Sequence, residues 1–144
     1  MNRFVFLLCT LFVLILPTAC SDEMLGGWDE MKWNMQFQDG GGDPMDWSSE
    51  IALKDGAIEV PADGGTYVLK CKNYSSIWLS NVKVNGEYVE FQNNENRSLQ
   101  GEWFKISIDQ EVMTVSIDPN PEQLERTLSL TVTVGDVFDA FRFE

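Results

Sequence analysis

Acid–base catalysis needs a side chain that titrates near neutral pH, and histidine is the one that does so unperturbed. This chain has none. The work would fall to a tuned carboxylate or a thiol. Aspartate and glutamate total 23 of 144 residues, so close pairs arise by chance and no spacing singles out a glycosidase-like couple. Cys71 alternates with Tyr67 and Leu69 and reads as a small buried hydrophobe, because a reactive thiolate wants an exposed, electropositive setting. The chain is therefore expected to be no enzyme, and a small enzyme or inhibitor is the weakest reading. No cofactor motif is present. Asp39, Asp43 and Asp46 around Gly40-Gly41-Gly42 are weak calcium candidates, since hard oxygens in a tight loop can supply part of a shell. Their spacing does not fit an EF-hand, and a solvated acidic turn is the better reading. Zinc is disfavoured for want of a Cys/His cluster.

Binding chemistry has better material. Tryptophan and tyrosine offer apolar faces with polar edges, and sugars stack on such faces. Trp33 alternates with Met31, Met35 and Phe37 and belongs to a core. Trp28 and Trp47 sit in polar, glycine-rich surroundings. Tyr74 falls in a loop, and Tyr88 on the outer face of a hairpin. Trp47, Tyr74, Tyr88 and Trp103 are the candidate ligand-binding residues. The competing reading is that they cover the ends of the fold.

The N-terminus is not fold. Asn2-Arg3 precedes an apolar run from Phe4 to Leu16, too short for the roughly 20 residues of a membrane span. It reads as a secretory signal. Leu16-Pro17-Thr18-Ala19-Cys20 resembles a bacterial lipobox of the looser Bacteroidetes kind, in which the cysteine is acylated; ordinary cleavage near Ala19 is the alternative. Two or three acyl chains anchor stably at about 0.8 kcal/mol per buried CH₂. Ser21-Asp22-Glu23 resembles the acidic signal that sends such lipoproteins to the cell surface. The expected division is a signal peptide at 1–19, a lipidated Cys20 with tether to 30, and one domain at 31–144. Removing 19 of 144 residues leaves 125, enough for one core. The net charge of −13 becomes −14 with Arg3 gone, which excludes nucleic acid as a partner.

Strand signals fill the domain. Met31–Gln38 alternates with period two until Asp39–Pro44 stops it. Trp47–Asp55 is ambiguous. Ala57–Val60, Thr66–Lys72 and Ile77–Ser80 follow. Asn85-Gly86 supplies the two positive-φ residues of a type I′ turn, so Val84 should face Glu87, with Val82, Val84, Val89 and Phe91 on one face. Gln92–Gly101 is loop. Trp103–Ile108 and Val112–Ile117 flank Asp109-Gln110. Glu122–Arg126 is the one candidate helical turn. In Thr127–Val134 the leucines and valines should face in and Thr127, Ser129, Thr131 and Thr133 out. Val137–Phe143 ends the series. Seven to nine short alternating strands predict an all-β, antiparallel sandwich, because each strand has one face to bury.

From Ile58 to Glu144 the pattern resembles a BACON domain, an Ig-like module of Bacteroidetes surface proteins. Val60–Leu69 carries its turn and strand. Trp78 within Ser76–Ser80 and Trp103 within Trp103–Ser107 resemble its two tryptophan positions, which are core positions. Asn120 and Arg126–Val132 resemble its late asparagine and arginine-led strand. Asn81–Gly101 stands between the tryptophans as an insertion. The resemblance implies an Ig-like sandwich and binding to carbohydrate or mucin, or a spacer role.

The expected function is a non-catalytic outer-membrane lipoprotein, held to the membrane by its N-terminal anchor. It would be an interaction module for a glycan or glycoprotein. The alternative is a structural or accessory subunit docking on another envelope protein.

Overall fold

A computed structural model describes residues 28–91 and 96–144. The signal, Cys20 and most of the expected tether lie outside the described residues. Two sheets face each other. The first orders its strands β1 (Trp33–Asp39), β4 (Gly65–Cys71), β9 (Val112–Ile117), β8 (Phe104–Asp109) and β7 (Ser98–Gln100). The second runs β2 (Leu53–Lys54), β3 (Ala57–Ile58), β11 (Val137–Phe143), β10 (Leu128–Val134), β5 (Trp78–Val84) and β6 (Glu87–Tyr88). Eleven strands exceed the expected seven to nine because β2, β3, β6 and β7 are only two or three residues long. All pairs are antiparallel except β3 with β11, where Ile58 meets Phe143. Reading β1, β4, β5, β8, β9, β10 and β11 as A to G, the sheets are A-B-E-D and C-F-G, which is the immunoglobulin arrangement.

The Asn85-Gly86 turn forms as its chemistry requires. Both residues have positive φ, 51° and 86°, and Val84 pairs with Glu87. Val89 N–H donates to the Val82 carbonyl at 3.0 Å. Residues 81–84, read as the start of an insertion, lie within the sheet. They are the second half of β5, with Val82 fully buried, and β6 extends the sheet as an immunoglobulin C′ strand does.

One residue re-phases β5. Thr131 pairs with Asn81 but Val132 pairs with Leu79, so Ser80 is left over as a bulge. Without it, Trp78 would share the inward face of Val82. With it, Leu79 turns inward and Trp78 turns out, opposite Thr133 and in line with Phe138. The expected core position of Trp78 is thus corrected to a half-buried place on the outer face. Thr133 points out as expected, yet it is buried, and its hydroxyl donates to the carbonyl of Gly135 or of Val137. Trp103 lies just before β8, partly buried against the core. Glu122–Arg126 is not helical. The Asn120 side chain claims the local backbone instead, accepting from Leu124 N–H and donating to its carbonyl at 2.7 Å.

Alternation supplies the core. Tyr67, Leu69 and Cys71 meet Ile106, Met113 and Val115 from one sheet and Leu79, Val82, Leu128, Leu130 and Val132 from the other. Tyr67 packs on Phe37 within its own sheet and edge-on against Phe143 across the gap, with ring centroids 4.7 and 5.0 Å apart. Trp33 closes the flank, its ring edge-on to Phe141 and its Nε1–H donating to Asp139 at 2.7 Å.

Leu130 is 1% exposed on the central strand β10. Leu130→Ala should destabilise the domain by about 2–5 kcal/mol, read as a lower denaturant midpoint. Burial, with the charge of Asp39 adding to it, pushes the Tyr67 phenol well above its ordinary 10.0. The fold thus favours the neutral phenol more than the unfolded chain does. That stability is complete below pH 10 and is lost as pH rises above it. Tyr67→Phe keeps the ring and removes the titration, so its alkaline unfolding midpoint, followed by circular dichroism, should move to higher pH than wild type.

Candidate functional site

The four candidate aromatics do not form one platform. Gly65, Ile117 and Phe104 align at one end of the first sheet, and Lys70, Val112 and Asp109 at the other. Trp103 precedes β8 at the first end. Tyr74 follows β4 at the second, its hydroxyl donating to the Asp29 carbonyl at 2.6 Å. About five residues of strand, some 17 Å, separate the two ends. Trp47 is 40% exposed beside the free edge of β1, where Phe37 and Ser48 exchange backbone hydrogen bonds. Tyr88 is 69% exposed on the edge strand β6, with the Lys83 ammonium 4.3 Å from its ring centroid.

Trp103 alone of the four lines a half-open cleft of about 400 Å³ at the end of the sandwich. Its place follows from three backbone ties. Asp118 N–H donates to the Trp103 carbonyl at 2.9 Å, Asn120 N–H to Ala62 at 2.7 Å, and Val60 N–H to Glu144 at 2.8 Å. These bring Val60–Ala62, Ile117–Asn120 and the end of β11 around the indole. Gly64 makes the turn possible. Its φ is 71°, and a Cβ there would collide with the Ile117 carbonyl oxygen.

Val60, Pro61, Leu124 and Phe143 give the cleft its apolar wall. Asn120, Gln123, Glu125, Arg126 and Glu144 give it donors and acceptors. The Arg126 guanidinium lies 5.4 Å from the Trp103 ring centroid, and its Nη1 donates to the Pro119 carbonyl at 3.4 Å. The Glu144 carboxylate pairs with Arg142 at 2.8 Å, and Asp118 and Glu125 still outnumber Arg126, so the cleft disfavours anions. A pocket of this volume with an aromatic wall and several hydrogen-bonding side chains suits a small, neutral, polar ligand.

A second concavity crosses the outer face of the other sheet, a shallow trough of about 490 Å³ that contains Tyr88, Lys83, Asn81, Ser129, Thr131 and Arg142. Of the calcium candidates Asp39, Asp43 and Asp46, the first two hold backbone amides of their own loop. The Asp39 carboxylate accepts from Gly41 N–H at 2.8 Å and that of Asp43 from Met45 N–H at 2.9 Å. Among the described residues, no three acidic, cysteine or histidine side chains converge as a metal site. Cys71 is buried.

No family model matches the chain, and no curated protein does. A solved structure does: the NMR structure of a protein from Bacteroides thetaiotaomicron is 32% identical, spans 82% of this chain and 87% of its own, and aligns with a TM-score of 0.62. The chain belongs to the family of that Bacteroides protein. With this Bacteroides relative the chain shares its all-β fold.

Trp103 was visible in the sequence as a candidate, but its neighbours in the cleft were not. Asn120, between Pro119 and Pro121, was the one available signal, since prolines on both sides leave its side chain to cap the backbone. Asn120→Ala should cost about 1 kcal/mol and speed amide exchange at Leu124, while amides in β4 and β9 keep their protection.

Proposed function

We propose that this is a non-catalytic lipoprotein of the outer membrane, acylated at Cys20, that binds a neutral saccharide of a glycan or glycoprotein in the Trp103 cleft. The observation that carries the reading is the cleft itself. It holds an indole, a stacked guanidinium and the amides of Asn120 and Gln123 around one small volume. Apolar sugar faces pack on aromatic and aliphatic walls, and hydroxyls take hydrogen bonds from amides and carboxylates. The local negative charge disfavours uronic acids and sulfated sugars. The lipobox-like Leu16–Cys20, the BACON-like pattern from Ile58 onward and the Bacteroides origin of the relative support the same reading.

The test is binding of the full chain, solubilised in detergent, to an array of neutral and acidic glycans. Saturable binding to a neutral class is expected. Trp103→Ala and the exposed Gln123→Ala should each weaken it about tenfold, equal to about 1.4 kcal/mol. Trp47→Ala should bind as wild type. Binding that survives both cleft variants, or that favours acidic glycans, would overturn the assignment.

A further inference from the structure

The end of the sandwich opposite the cleft exposes its own aromatics. Trp28 is 69% exposed and Phe138 58% exposed. Trp78, turned outward by the Ser80 bulge, stands in line with Phe138 across Thr133. All three lie at the end marked by the Tyr74 loop and the Gly135-Asp136 turn. We propose that this end is a lipid-facing surface, with Trp28, Trp78 and Phe138 seated in the headgroup region of the bilayer that holds the anchor. The inference rests on the anchor reading at Cys20.

Three observations support a lipid occupant over a protein one. Tryptophan is suited to the membrane–water boundary, where one part of the ring is apolar and the N–H stays wet. The chain also enters the domain here. Seven residues lie between Cys20 and Trp28, a reach of about 28 Å at full stretch. This end therefore meets the bilayer at the shortest reach, whereas the cleft end requires the leash to double back about 17 Å along the strands. Charge points the same way. Lys32, Lys70, Lys72 and Arg97 lie toward this end and offset much of the charge of Asp29, Glu30, Asp109, Glu111 and Asp136, Lys70 pairing with Glu111 at 3.8 Å. The cleft end is crowded with Asp39, Asp43, Asp63, Asp118, Glu122 and Glu125. A negatively charged leaflet therefore repels the cleft end more strongly than this one. The cleft then faces away from the membrane, open to solvent.

The full chain, acylated and reconstituted into phosphatidylcholine vesicles carrying brominated acyl chains, supplies the test. Bromine quenches tryptophans within the bilayer. Wild type should show a quenched fraction that falls at least twofold in Trp28→Tyr combined with Phe138→Ser, both at exposed positions that leave folding intact. Trp47→Phe should keep the wild-type quenching. Mass spectrometry of Cys20 separates the two ways of failing. An unmodified Cys20 overturns the anchor and this surface together, whereas an acylated chain with no quenching, or with quenching indifferent to the double variant, overturns the surface alone.

Discussion

The edge-to-face contact of Tyr67 with Phe143 is the joint on which the rest of the molecule turns. Each sheet has one apolar face and is unstable alone, so the two must lock at a defined offset. Tyr67 does this from the first sheet, held by Phe37 beneath it, and Phe143 receives it in the second. Phe143 also pairs in parallel with Ile58, and the next residue, Glu144, ties both Ile58 and Val60 through the backbone. Those ties fix the wall of the cleft. Core packing and site geometry are therefore one problem here: a shift of the Tyr67 ring would move Phe143, and with it the floor under Trp103.

Period-two alternation made most of this fold legible. In β4, β8 and β9 the buried residues are those that the pattern marks, because the strands are regular and each has one wet face. The Asn85-Gly86 turn fixed its own register by backbone chemistry. What alternation cannot show is a skipped residue. Ser80 is small and polar, like many strand residues, and nothing local marks it as a bulge. Yet it moves Trp78 from one side of the sheet to the other. Ala57–Val60 and the hairpin already marked β3 and β6, but β7 at Ser98–Gln100 was hidden in the expected loop Gln92–Gly101, and β2 in an ambiguous stretch, for a related reason. They are too short to display a period and form only because a neighbouring edge is available.

The site was less legible than the fold. Trp103 stood out by residue type, as did Trp47, Tyr74 and Tyr88, but type says nothing about convergence. The cleft gathers segments around residues 60, 103, 120 and 144, which only the sheet topology brings together. Arg126 illustrates the difficulty. In sequence it only leads a strand; in space it lies over an indole. The acidic loop shows the reverse case. Asp39 and Asp43 read as metal-ligand types and are occupied with the backbone amides of their own turn.

The parallel pairing of Ile58 with Phe143 has a kinetic side. β11 follows every other described strand in the chain, yet it sits inside its sheet between β3 and β10. Three further pairings join distant parts of the chain: β1 with β4, β4 with β9 and β10 with β5. Topologies of this kind fold in milliseconds to seconds, since loops must close before contacts reward them. A chain emerging N-terminus first from a ribosome or a narrow channel therefore presents a strand array with its interior missing. It cannot close early around a partial core, and it remains threadable until its last strand arrives.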